Sequence, residues 1–499
     1  MFDIEKIDIN DEDIYKIIGD KRTKGLFQVE SHLAKTWAGK IKPSNIGELS
    51  DLIAIIRPSS LNFAQEYVDV KNGTKEVSYI DKRLEPILKP FKGIILYQET
   101  IIKIIQELAN ESECYSDSVR LMISKKKLDE LKKELPILKN KFIKNGMAED
   151  SAEALIKMIS YAGSYAFNLS HSAVYSKNLA TIASIKSNYP IVFFWANLQT
   201  ANQKQHPLEE LRELYYDAKD FGINIIPPTI CDISENFEIV DMNNIKFGFS
   251  NIKGVGESCV KNLKKCDTSS FKSFLVSSIA HKVKKNVVEV LIKCGALDCF
   301  KIPRVKMLLE YAIIKSLSDE QESVFLELYK TKDVVDSVNE IILNNSRLKV
   351  NDETKQLLLD YVSKEHKDYM TTNDIWERET LGINISSSRL DSYAQDSGIT
   401  HNLSMVKKAF DREKIVVIAL LEKVKKTKTK KDKKDMAFLT ISDLTAQISN
   451  CIVFPELFTR MYYEKNCLKN EGLEVLKITG YKSINDNGES FIAQDIEVF

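Results

Sequence analysis

The sequence predicts a multidomain, mainly helical protein that ends in a small β-barrel. Three observations carry that expectation. At 499 residues the chain exceeds one ordinary domain, and about three is the expected number. Through the first part, apolar residues recur at helical spacing, as in 99–108 and 117–134. Beyond Asp411 the pattern turns to strands, at 415–424, 436–442, 448–454, 473–478 and 491–498, with a helix-like piece at 458–464 between the third and fourth.

Composition bounds the function classes. A hydrophobic content of 43% supplies packed cores, and 28% charged residues with aromatics throughout argue against global disorder. Formal net charge is zero, so any nucleic-acid role must rest on local patches. The eight cysteines show no Cys-x-x-Cys spacing, which argues for free thiols in a reducing compartment and against a zinc site. No apolar run reaches membrane-spanning length and the start carries no secretory signal pattern, so a cytoplasmic protein without membrane partners is expected.

Within 1–205 the densest polar group is Asn168, Ser170, His171 and Ser172, between apolar runs at 154–159 and 175–185. The plain reading is a helix-capping turn, since Asn and Ser are ordinary caps. His171 adds a group that titrates near neutrality. Upstream lie Arg57-Pro58, Tyr97-Gln98-Glu99, Arg120 and Ser124-Lys125-Lys126-Lys127, a cationic and hydrogen-bonding set suited to a triphosphate. Proline bars its predecessor from the helical region, which puts Arg57 at a helix end.

Taken in order, Gly25-Leu26-Phe27-Gln28-Val29-Glu30-Ser31, Arg57-Pro58, Gly93-Ile94-Ile95-Leu96-Tyr97-Gln98-Glu99, the Arg120 helix and Phe167-Asn168-Leu169-Ser170-His171-Ser172 resemble the fingers of the bacterial replicative DNA polymerase III alpha subunit, a C-family polymerase. The resemblance implies that Arg57, Tyr97, Gln98, Arg120, Lys125, Lys126, Asn168, Ser170 and His171 bind the incoming dNTP. The chain departs from the family pattern at Ser59-Ser60, Leu121, Ser124 and Leu169, which removes cationic or flexible positions.

Residues 206–300 form a second expected domain. Ile252-Lys253-Gly254-Val255-Gly256 precedes an amphipathic helix at 257–264, and the glycines permit a tight hairpin with outward backbone amides. That geometry suits a DNA phosphate at a helix N-terminus. It is a helix-hairpin-helix pattern in which Lys253, Gly254 and Gly256 would hold primer-template duplex. Lys293-Cys294-Gly295-Ala296 resembles a degenerate, structural second copy.

Residues 301–375 are expected to be a helical linker. Gln321, Val324 and Phe325 resemble a peptide that docks on the bacterial sliding clamp; the plainer reading is a core pair on an amphipathic helix. Trp376-Glu377-Arg378-Glu379-Thr380-Leu381-Gly382 resembles the run that opens the family's last domain, here 376–499. Five strands with a helix in that slot outline an OB-fold. Its first hairpin carries Lys425, Lys426, Lys428, Lys430, Lys431, Lys433 and Lys434, placed to meet single-stranded DNA or to be a solvated tip.

Phosphoryl transfer by polymerases takes two metal ions held by carboxylates. The family's palm supplies them in an Asp-x-Asp pair and a later Lys-Phe-Asp segment, which match nothing here; Asp8, Asp11 and Asp13 read as helix-start residues. The resemblance therefore implies the C-terminal part of such a polymerase, from a phage or another split-gene source, inactive alone. It would work in DNA synthesis with a separate palm-bearing chain and Mg²⁺. The alternative is a non-catalytic DNA- and clamp-binding accessory protein.

Overall fold

The computed structural model describes residues 4–58, 60–125, 127–163, 166–344, 350–363, 370–386, 388–393, 398–485 and 488–499. By contacts the chain forms two compact units, Met1–Tyr189 and Pro190–Phe499. No helix among the described residues is long and apolar enough to cross a membrane.

Side-chain caps start the helices of the first unit. Asp11 accepts the Asp13 amide ahead of Glu12–Gly19, Ser31 the Ala34 amide ahead of His32–Ile41, and Asn45 the Glu48 amide ahead of Ile46–Ile55. The Asp11-x-Asp13 pair is thus a helix start, as its pattern suggests. The Ile46–Ile55 helix is buried along its length from Glu48 and packs on the Leu169–Asn188 helix. A neighbouring core gathers Ile101, Ile105 and Leu108 from Gln98–Ala109 with Val119, Phe142, Leu155 and Ile159.

The helix expected at 117–134 is two helices, Glu113–Ser124 and Leu128–Lys144. Continued without a break, the stripe of Val119, Ile123 and Leu131 would bring Lys127 onto the buried face. An unpaired ammonium there is costly to desolvate. Instead Lys127 is exposed and reaches Glu130 at 2.8 Å.

The second unit opens with helices Pro190–Thr200 and Pro207–Asp220 and a small sheet of β1 (Asn224–Ile226), β2 (Glu238–Ile239) and β3 (Asn244–Lys246), ordered β1-β3-β2. The glycine hairpin and helices Glu257–Leu263, Phe271–Ala280 and Lys285–Lys293 follow. Next come Arg304–Ser316, Asp319–Tyr329, Val334–Asn344, Asp352–Ser363 and Met370–Leu381.

The chain ends in a closed five-stranded barrel. Its strands are β4 (Lys414–Lys428), β5 (Asp435–Ser442), β6 (Gln447–Val453), β7 (Val475–Asn485) and β8 (Gly488–Val498), in the order β4-β5-β6-β8-β7. A helical turn, Pro455–Phe458 running into Thr459–Glu464, fills the slot between β6 and β7, as an OB-fold requires. Val417, Leu439, Cys451, Phe458, Ile478 and Phe491 fill the interior. At the β7/β8 bulge the strands approach so closely that a Cβ on Gly480 would lie 2.1 Å from the Ile492 carbonyl oxygen.

Buried ion pairs tie this unit together. Arg304 meets Glu377 at 2.8 Å, both almost wholly enclosed. Glu422 of β4 accepts Arg212 of the Pro207–Asp220 helix at 2.7 Å, and Arg378 as well. Arg389 pairs with Asp374 at 2.8 Å. The Glu377-Arg378 run is therefore a strut joining helices to the barrel.

Candidate functional site

In the first unit the family-like motifs converge on the N-terminus of the Leu169–Asn188 helix. Asn168 is its cap, and its side-chain oxygen accepts the His171 amide at 2.8 Å. Glu99 supports the same turn by accepting Asn168 Nδ2 and the Leu169 amide, both at 3.0 Å. The chain at Phe167 bridges to Tyr97, with the Gln98 amide donating to the Phe167 carbonyl at 2.8 Å. Gln98 uses both ends of its amide: Nε2 donates to the Ala166 carbonyl and Oε1 accepts Arg120 at 2.7 Å. Arg120, also paired with Asp117 at 2.8 Å, is mostly enclosed.

Tyr97-Gln98-Glu99 thus builds the turn more than it meets a ligand. Tyr97 needs correcting as a direct nucleotide contact. It is fully buried, and its hydroxyl donates to Asp51 at 2.8 Å and lies 3.1 Å from Ser50 Oγ. Gln98 and Arg120 hold the frame. Arg57, Asn168, Ser170, His171 and Lys125 reach solvent, with Lys125 at the end of Glu113–Ser124. Lys126 and Ser59 lie outside the described residues.

The exposed side of the turn carries a row of rings. The Arg57 guanidinium lies 3.5 Å from the centre of the Phe167 ring, and burial lowers its pKa. Phe167 stands edge-on to His171 at 5.2 Å, His171 lies 4.3 Å from Tyr175, and Tyr175 5.7 Å from Phe27. Phe27 is 58% exposed. A cation next to exposed rings suits a planar base joined to phosphate. Phe27, Phe167 and Tyr175 were not among the predicted site residues. The spacing of four through Phe167, His171 and Tyr175 is the sequence signal that would have found two of them.

Beneath the turn lies a cavity of about 390 Å³, lined in part by Glu48, Ser50, Asp51, Lys92, Tyr97 and Ser176. Burial lifts the Asp51 carboxyl to about 6, against the hydrogen bonds from Tyr67 and Tyr97 and the nearby Lys92. The folded pKa lies above the ordinary value of 3.8, so the protonated form fits the fold better. The stabilisation from this group is complete below about pH 4 and is lost as pH rises through about 6. Asp51→Asn is expected to flatten that decline in urea midpoints measured across this window; an unchanged profile would remove Asp51 as its source.

The carboxylates at this turn do not fit a pair of metal ions. Glu99 is bound to the turn, Asp117 to Arg120, and Asp51 to two tyrosines.

In the second unit the 252–256 hairpin is open. Ile252 and Val255 are buried and anchor it, while Lys253, Gly254 and Gly256 are exposed. Gly254 sits at φ +89°, and a Cβ on either glycine would meet nothing within 4 Å. Gly256 precedes the Glu257–Leu263 helix. The second copy differs: Gly295, at φ +80°, is closed over by Arg304, which a Cβ would approach to 2.2 Å. It is structural, as its pattern suggests.

On the barrel, Lys425, Lys426, Lys428, Lys430, Lys431, Lys433 and Lys434 are all exposed along the β4–β5 hairpin. Lys426 lies 3.9 Å from the centre of the Tyr462 ring and Lys469 4.9 Å from it. Tyr463 hydrogen-bonds Asp435 at 3.0 Å. Two partly exposed tyrosines thus lie beside the lysine-rich hairpin, a feature that the strand pattern did not reveal.

The expected clamp peptide is corrected. Gln321 and Phe325 are buried inside the Asp319–Tyr329 helix, and Val324 is half-buried. Gln321 closes a capping box with Ser318, and Phe325 stacks on Tyr329 at 5.0 Å. The Ser318-x-x-Gln321 spacing is itself a capping-box signature. Two of the three anchors are therefore enclosed in this fold rather than presented at the surface.

Residues 1–146 match the family described as the bacterial DNA polymerase III alpha subunit finger domain, and 222–307 match a helix-hairpin-helix motif. The DNA polymerase III subunit alpha of Aquifex aeolicus is 29% identical over 98% of this chain and 39% of its own length. That of Bacillus subtilis is 27% identical over 92% of this chain and 39% of its own. That of Borreliella burgdorferi is 27% identical over 99% and 42%. The chain therefore spans about two fifths of the length of these curated relatives.

Proposed function

We propose that this chain, similar along nearly its whole length to bacterial DNA polymerase III alpha subunits, is the nucleotide- and DNA-holding part of a C-family replicative polymerase. In this reading the Arg57–Phe167–His171 face receives the incoming dNTP. The 252–256 hairpin holds primer-template duplex, and the barrel's lysine hairpin meets unpaired template. The metal-dependent chemistry comes from a palm supplied by another chain, since no carboxylates at the turn are available for it. Mg²⁺ is then a requirement of the assembled enzyme, working in the cytoplasm.

The observation that carries this is the open glycine hairpin: unobstructed backbone at Gly254 and Gly256, beside Lys253, at a helix start. Backbone amides so placed bind phosphate oxygens without reading sequence. Gly254→Asp adds a carboxylate and strains a left-handed backbone. It is expected to weaken primer-template binding about tenfold, equally for unrelated duplex sequences, in fluorescence anisotropy at fixed salt. Unchanged affinity would take the duplex contact away from this hairpin.

A second reading is a non-catalytic DNA-binding accessory protein derived from the polymerase. It is favoured by one observation: Tyr97, Gln98 and Arg120 are committed to the frame of the turn, leaving fewer groups for a triphosphate.

A further inference from the structure

The cavity beneath the turn, at about 390 Å³, has the size of a small-ligand pocket. Its walls are largely apolar: Ile46 at the start of the Ile46–Ile55 helix, Pro90 and Phe91, and Leu169 and Ala173 of the Leu169–Asn188 helix. Its mouth is open, since Gly47, Pro90 and Ala173 are exposed. The charged lining is Glu48, Asp51 and Lys92. Glu48 is satisfied: it pairs with Lys71 at 2.5 Å and Lys92 at 3.5 Å, and accepts the Ser44 hydroxyl at 2.9 Å. Asp51 has no such cation. Among the described residues it accepts the Tyr67 hydroxyl on Oδ2 at 2.7 Å and the Tyr97 hydroxyl on Oδ1 at 2.8 Å. A carboxylate has about four acceptor sites, so each Asp51 oxygen keeps one open. Asp51 is 3% exposed, which keeps bulk water from serving it freely. The proposed polymerase role uses neither the cavity nor this carboxyl as a ligand contact.

We propose that this cavity binds a small organic cation, a primary amine on a short aromatic body, with its ammonium on Asp51 and its ring against Phe91 and Leu169. An ammonium carries only donors, which matches the open acceptor sites. Its charge supplies the partner that a buried carboxylate lacks. Phe91 is half-buried and already stands edge-on to Tyr97 at 5.1 Å, so a ligand ring extends an existing aromatic pair. Lys92, bonded to Glu48, is drawn toward that carboxylate rather than toward Asp51. The site also has a pH signature. Burial opposes it, but bonds from Lys71 and Ser44 hold Glu48 below its ordinary range, and burial pushes Tyr67 and Tyr97 above theirs. Asp51 is therefore the lining group that gains its negative charge as pH rises through about 6. Amine binding should tighten over the same interval. The proposal does not depend on the polymerase reading, because it concerns the cavity alone.

The test is calorimetric titration of the full chain with 2-phenylethylamine, and with the neutral 2-phenylethanol as its isostere. The expected result is saturable one-site binding of the amine at neutral pH, with the alcohol about tenfold weaker because the charge-assisted contact is gone. Asp51→Asn should weaken the amine by about the same factor and remove the tightening with pH. Ala173→Phe, which fills the mouth from outside the tyrosine network, should weaken amine and alcohol together. Equal affinity for amine and alcohol in the unaltered chain would overturn the proposal. So would the absence of saturable amine binding, or wild-type affinity in a folded Asp51→Asn or Ala173→Phe variant. If Asp51→Asn does not fold, the isostere comparison and Ala173→Phe still decide.

Discussion

Glu377→Ala is expected to destabilise the second unit by about 3–5 kcal/mol, because it strips one partner from a buried ion pair. The Arg304 and Glu377 side chains are 2% and 1% exposed, so water cannot replace what is lost. Glu377 also accepts the Ile385 amide at 2.9 Å and the Ser386 amide at 3.1 Å. Burial alone would lower the Arg304 pKa, but Asp298 and Glu377 outweigh it and hold the pKa raised. An arginine keeps its charge in proteins, so removal of Glu377 leaves Asp298 as the anion still paired with it. The loss should appear as a lower urea midpoint for unfolding of the second unit, followed by a probe placed in it. Glu377→Gln, which keeps the shape and some acceptors, should fall between. A shift within about 0.5 kcal/mol, the range of an exposed pair, would mean the strut contributes little.

Phe325→Ala should destabilise the same unit by about 3–5 kcal/mol, the usual range for an emptied aromatic site. Phe325 is 0% exposed and stacks on Tyr329, whose hydroxyl is bound to Glu310. Little around it can collapse into the space, since Tyr329 is held from both sides by Glu310 and by Lys272, 4.9 Å from its ring centre. Val324 is only half-buried, so Val324→Ala alone should cost about 1 kcal/mol or less. This pair separates the two meanings of the Gln-x-x-Val-Phe run. A docking peptide would tolerate the double replacement with normal stability and lose only clamp binding. A packed helix would lose its melting transition first. Circular dichroism melts of the two single variants decide between them, and equal, wild-type melting would restore the peptide reading.

The barrel was legible because alternation of apolar and polar residues is a local property. All five strands and the intervening helical turn overlap the segments the pattern marked; the fourth strand begins at Val475 rather than 473 and runs on to Asn485, and the first extends into the lysine-rich hairpin as far as Lys428. The Asn168 cap was legible for the same reason. What could not be read was which motif residues face a ligand and which hold the frame. Tyr97 is buried because Asp51 and Ser50 come to it from more than forty positions away, and Gln98 is occupied because Arg120 and Ala166 meet it. Such partners follow from the packing of helices and leave no trace at the motif itself. The 117–134 helix failed on a finer point: helical propensity is high through the lysines, but continuing the helix would have buried Lys127. For Phe325 the signal was present in Ser318, and a docking motif and a capped, packed helix share the same few residues.

Primer extension with Mg²⁺ and all four dNTPs separates a polymerase part from an accessory protein. It compares this chain alone, a palm-bearing polymerase chain alone, and the two mixed. Positioning of nucleotide and duplex contributes binding but little stabilisation of a transition state that depends on carboxylate-held metals. This chain is expected to give no extension at any metal concentration, and the mixture to give template-directed extension. Failure of the mixture despite tight primer-template binding would favour the accessory reading. Robust Mg²⁺-dependent extension by the purified 499-residue chain would overturn the division of labour with a palm-bearing chain, because it would require metal-binding carboxylates within these residues.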